Sequence, residues 1–137
     1  MIKVLIGPKG TGKSKTLISW VTEAVESEHG NVVCIVKDDR YNLSIPREAR
    51  LINTSDFEIR GASELYGFLC GLISMDFDVT HIFIDSLTSI MKSTVADVDD
   101  AIVYLEKLSA QFNIKFTIMI SGEKSEAKEL TKKYIVE

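Results

Sequence analysis

Cysteine and proline each occur only twice in the 137 residues, and there is a single tryptophan. Two cysteines cannot build a disulfide framework. Cys34 sits in an apolar, strand-like run and Cys70 in a helix-like one, so two buried thiols are expected. Zinc wants about four ligands, and only His29 and His81 could join the cysteines. Both prolines, Pro8 and Pro46, fall in loop-like sequence. No run of about 18 apolar residues exists to cross a membrane, and the N-terminus lacks the apolar segment of a signal peptide. A cytoplasmic location without membrane contact is therefore expected. Positive charge is also in short supply: 16 Lys and Arg against 20 Asp and Glu leave a net charge of −4. That balance argues against constitutive nucleic-acid binding, where a basic face is the rule. No repeat, linker or low-complexity stretch appears. What remains is a globular composition, 45% hydrophobic and 26% charged. The expectation is a single domain spanning 1–137.

Short apolar runs alternate with amphipathic ones. Residues 2–6, 32–36, 51–53, 81–85 and 115–120 read as strands. Helical spacing of apolar residues marks 13–28 and 62–75, and a third helix carries Val98, Ala101, Ile102, Leu105, Leu108 and Phe112. Thr94 with Asp97 three residues on is a capping pattern for that helix. Residues 125–134 read as a last short helix. The aromatics Trp20, Tyr66, Phe68, Phe83 and Phe116 are read as core. Alternating strands and helices predict an α/β fold: a three-layer α/β/α sandwich on a mostly parallel sheet of four or five strands.

The strongest local signal is Gly7-Pro8-Lys9-Gly10-Thr11-Gly12-Lys13-Ser14. It matches G-x-x-x-x-G-K-[ST] at every fixed position, with a strand running in and a helix running out. The glycines let the backbone close around an anion, and amides at a helix start favour negative charge. On this reading Gly7 to Lys15 cradle a nucleotide's phosphates, with Lys9 and Lys15 adding positive charge. Lys13 reaches the β- and γ-phosphates, and Ser14 places its hydroxyl on Mg²⁺. A second acid is then required at the end of another strand, and His81-Ile82-Phe83-Ile84-Asp85 supplies it. Asp85 is predicted to hold the metal through a coordinated water, near Ser14.

With its phosphate loop and Asp85, the chain resembles the P-loop NTPases. The run Ile84-Asp85-Ser86-Leu87-Thr88-Ser89, the downstream helix and the strand ending in Ser121-Gly122-Glu123 are similar to the RecA/KaiC-like ATPases. The resemblance implies the P-loop NTPase fold, with the Ser121 strand lying between those of Gly7 and Asp85. It also implies a general base at the end of the second strand, where Lys37-Asp38-Asp39 stands. Asp38 or Asp39 is the candidate to orient the attacking water, and Ser121 the candidate to sense the γ-phosphate. Asp in place of that group's Glu reaches one methylene less far. Gly7, Asp38, Asp85 and Ser121 all fall at carboxyl ends of strands, where open α/β sheets bind ligands.

The four arginines, Arg40, Arg47, Arg50 and Arg60, all lie between the second strand and the second helix. None is obviously placed as a finger, so intrinsic hydrolysis should be slow. Tyr41 in the same loop could stack on a base, though it reads first as an exposed or packed loop residue. The irregular stretch from Asp38 to Arg60 is a candidate switch, or a surface for a protein partner, and a homo-oligomer would be needed for any arginine acting in trans. The leading expectation is a Mg²⁺-dependent ATP-binding protein that hydrolyses slowly. The alternatives are a nucleotide-dependent switch with little hydrolysis, and a small-molecule kinase. ATP is preferred because no Asn-Lys-x-Asp guanine reader is present.

Overall fold

Strands and helices alternate as the apolar pattern predicts. The computed structural model describes residues 1–136. In chain order the elements are β1 (Ile2–Gly7), α1 (Lys13–Ser27), β2 (Asn31–Val36), β3 (Ala49–Asn53), α2 (Gly61–Met75), β4 (Val79–Ile84), α3 (Leu87–Met91), α4 (Val98–Phe112), β5 (Lys115–Ser121) and α5 (Glu129–Tyr134). The five strands form one all-parallel sheet in the order β1-β5-β4-β2-β3. The strand ending at Ser121 thus lies between those that lead to Gly7 and Asp85, the order expected above. Because every strand runs the same way, all their carboxyl ends meet along one edge.

Side chains alternate across a strand, so each strand feeds two cores. On one face Val33, Ile35, Ile82, Ile84, Ile118 and Ile120 pack against α2, α3 and α4, through residues such as Leu69, Leu87 and Leu105. On the other face Val32, Cys34, Val36, Phe83 and Met119 pack against Leu17, Val21 and Ala24 of α1. Helices on both faces of a parallel sheet are compatible with a three-layer sandwich. The second face has only one long helix, and Tyr41 and Ile45 from the loop after β2 complete its core. No helix among the described residues is long and apolar enough to cross a membrane.

Several sequence expectations need correction. The stretch after Asp85 holds α3, whose Leu87, Ile90 and Met91 are all buried; its polar neighbours masked so short a helix. The helix expected over 125–134 is two pieces, a 3-10 turn Lys124–Glu126 and then α5, separated by extended backbone at Ala127. The Glu123–Glu126 capping box closes the first piece on itself. The Thr94–Asp97 box is present, but it caps a 3-10 turn, Val95–Asp97, that leads straight into α4. Phe112, at the last turn of α4, is 37% exposed and lies off the core. Phe83 and Phe116 are buried, whereas Trp20, Tyr66 and Phe68 are half-buried at the edges of the two cores. Cys34 is buried, Cys70 half-buried, and both are free thiols.

The last helix is held by one carboxylate. Asp99 on α4 accepts hydrogen bonds from the Thr131 amide at 2.7 Å, the Leu130 amide at 3.2 Å and the Thr131 hydroxyl. These satisfy amides that a helix start leaves without intrahelical partners. Burial pushes the Asp99 carboxyl up, but these hydrogen bonds outweigh it, and its pKa lies below the ordinary value. A depressed carboxyl contributes stability above its unfolded pKa, and loses it as pH falls through the folded one. Asp99→Ala should therefore cost about 1–2 kcal/mol at pH 7. Urea unfolding should show that gap closing as the pH falls below the ordinary carboxylate range; a gap that persists in acid would refute this account.

Candidate functional site

The loop after β1 turns through two left-handed glycines, Gly10 at φ 83° and Gly12 at φ 85°. Other residues adopt that region at a cost, which explains glycine at both places. Gly12 is also the N-cap of α1, so the helix starts at the loop's end. The loop is tied by its own side chains. Lys13 Nζ donates to the carbonyls of Gly7 at 2.8 Å and Pro8 at 2.7 Å, and Thr11 Oγ1 donates to Pro8 at 2.7 Å. At Gly7 a Cβ would meet Thr11 Oγ1 at 3.1 Å.

A cleft of about 400 Å³ opens at the carboxyl edge of the sheet. The loop and α1 contribute Lys9, Gly10, Gly12, Lys13, Ser14 and Lys15. The end of β4 contributes Asp85 and Ser86, and β5 contributes Ser121. The segment after β2 contributes Lys37, Arg40 and Tyr41. Gly7 pairs in register with Ser121, and the Gly122 amide donates to the Gly7 carbonyl at 3.0 Å. Other clefts are similar in size, one of about 250 Å³ at the opposite edge of the sheet and one of about 480 Å³ beside α2. What sets this one apart is charge. Five cationic side chains (Lys9, Lys13, Lys15, Lys37 and Arg40) line it against one carboxylate, Asp85, in a chain of net charge −4.

Asp85 is 7% exposed. Its burial raises its pKa above the ordinary carboxylate value, opposed by a hydrogen bond from Tyr41 and the charges of Arg40 and Lys37. Burial also lowers the Lys13 pKa, with Asp85 acting the other way. Ser86, next along, holds a left-handed backbone at φ 53°, a strained conformation for a residue with a side chain. Tyr41 is 3% exposed, and its hydroxyl shares a hydrogen bond of 2.9 Å with Ser14 Oγ. Burial raises the Tyr41 pKa, and the nearby Asp85 carboxylate adds to the rise. Ser14 and Asp85 thus lie on either side of one hydroxyl in the cleft, where they could flank a single small cation. Among the described residues no three His, Cys, Asp or Glu side chains gather to hold a metal unaided. One hydroxyl and one carboxylate suit Mg²⁺, which keeps several waters and takes the rest of its shell from phosphate oxygens.

Of the residues singled out from sequence, the cleft brings together Lys9, Gly10, Gly12, Lys13, Ser14, Lys15, Asp85 and Ser121. Gly7 and Pro8 lie behind it, bonded to Lys13. Thr11 is turned to Pro8. Asp38 and Asp39 do not line the cleft. The Asp38 carboxylate is clamped by the Arg40 guanidinium at 3.1 Å and 3.2 Å, and the Arg40 amide donates to it at 3.1 Å. That backbone hydrogen bond, ahead of the guanidinium, holds its pKa below the ordinary value. Lys37, Arg40 and Tyr41 reach the cleft instead. Their signal in the sequence was position, since they follow the carboxyl end of β2 just as the acids do. No protein-family model and no curated protein matches the chain.

Proposed function

We propose that the protein is a small Mg²⁺-dependent nucleotide-binding protein of the P-loop NTPase kind, similar to the RecA/KaiC-like ATPases, and that it hydrolyses ATP slowly. One observation carries this reading: Ser14 and Asp85, far apart in sequence, line one cleft rimmed by five cations. A triphosphate suits such a rim. The glycine turn and the start of α1 would bind its oxygens through backbone amides. Lys13 would exchange its two loop carbonyls for phosphate oxygens. Ser14 and Asp85 would hold Mg²⁺, which when bound neutralises charge on the β- and γ-phosphates. Ser121, on the strand between, is within the same cleft to hydrogen-bond the terminal phosphate.

A second reading, a nucleotide-dependent switch with little hydrolysis, is favoured by the acids after β2. Asp38 is occupied by Arg40, and Asp85 is the sole carboxylate lining the cleft among the described residues. Either Asp38 leaves Arg40 and turns inward, or Asp39 does so, or hydrolysis lacks a base. Calorimetric titration with ATP, with and without Mg²⁺, tests binding, and phosphate release tests turnover. Asp85→Asn should remove about tenfold or more of the Mg²⁺-dependent affinity. If Asp38→Asn or Asp39→Asn abolishes slow turnover while binding persists, the ATPase reading stands. Tight binding without turnover in the unaltered protein selects the switch. Failure of ATP and GTP alike to bind would end both.

A further inference from the structure

We propose that Tyr41 is a gate on the metal position, displaced whenever Mg²⁺ arrives with a nucleoside triphosphate. The inference rests on the nucleotide reading above and adds a residue that the sequence pattern left as loop packing. A tyrosyl hydroxyl has one proton. That proton goes to Ser14 Oγ at 2.9 Å, and the Asp85 carboxylate lies near the same hydroxyl. The phenol thus engages the Ser14 oxygen within the cleft. A cation held by Ser14 needs that lone pair, and it cannot sit where the phenol oxygen sits. Tyr41 must withdraw for the metal to enter.

Withdrawal cannot be confined to the hydroxyl. The ring lies in the core beneath α1 with Ile45 and Ala49. The Tyr41 carbonyl accepts from the amides of Ser44 at 3.0 Å and Ile45 at 3.2 Å, so the ring moves with that turn. Arg40, its neighbour, lines the same cleft and feels the same phosphates. Metal arrival is thereby transmitted to the segment after β2, and Tyr41 acts as a positioning residue whose displacement reports a filled metal position.

The test is the ratio of affinities for a fluorescent ATP analogue with Mg²⁺ and with EDTA. In Tyr41→Phe the ring remains and the competing hydroxyl is gone. The ratio should rise about threefold to tenfold over the unaltered protein, the size expected for removing one competing hydrogen bond. A ratio that is unchanged or lower overturns the gate. Binding that is absent from the unaltered protein in both conditions overturns the nucleotide reading with it, so the two failures are told apart. Hydrogen exchange in the unaltered protein gives a second readout that needs no variant. The Ser44 and Ile45 amides should exchange faster with Mg²⁺ and ATP than with ATP and EDTA; equal rates overturn the gate.

Discussion

Lys13→Ala should weaken ATP binding by about a hundredfold or more while leaving the fold intact. The ammonium makes two short bonds to loop carbonyls, and on binding would replace them with bonds to charged oxygens. Each such charge-assisted bond contributes roughly 1.5–3 kcal/mol, and two account for at least that factor. Fold retention is expected because Lys13 sits at the first turn of α1 and supplies nothing to either core. Titration of both proteins with Mg²⁺ and ATP, alongside circular dichroism, decides the matter. Affinities within threefold of each other would mean that the loop does not grip phosphate through this side chain.

The second large effect lies at the other edge of the sheet and concerns stability. His81 on β4 is stacked on Phe83 with ring centroids 4.1 Å apart, and its Nε2 is 2.8 Å from Thr117 Oγ1. Its Nδ1 lies 3.7 Å from Glu28, which also pairs with Lys115 at 2.6 Å. Burial drives the His81 pKa down to about 4; the Glu28 carboxylate pulls it up, and Lys115 and Lys3 push it further down. The unfolded chain takes up this proton near pH 6.5 and the folded one not until about pH 4. Below pH 6.5 protonation therefore favours unfolding, and stability falls with pH until the folded value is passed. The loss is roughly 3 kcal/mol. His81→Gln should show an acid limb shallower by that amount in urea unfolding between pH 7 and pH 4. Parallel pH profiles for the two proteins would refute it. An NMR titration of the His81 ring should show a midpoint near 4.

The parallel sheet was legible because fully covered strands are nearly all apolar, as 32–36 and 115–120 are. The loop from Gly7 to Ser14 was legible because positive φ demands glycine, and the structure has it at Gly10 and Gly12. Asp85 could be found because it ends a strand. The contact of Tyr41 with Ser14 could not be read from sequence, since it depends on a loop folding back across α1, and no periodicity records that. Asp38 shows what chain position leaves out. It points to the acid but not to Arg40, two residues on, which pairs with that carboxylate. Short α3 was hidden because five residues give too few turns for a helical period to emerge.

The uneven layering of the sheet has a mechanical consequence. With one long helix on the α1 side, Tyr41 and Ile45 are part of the wall that keeps water off Val36 and Cys34. A ligand that lifts this segment wets hydrocarbon, at about 25 cal/mol for each Å² uncovered. That cost is stored while the ligand stays and recovered when it leaves. On the proposal above the segment would act as a spring, its recoil favouring release of whatever opened it.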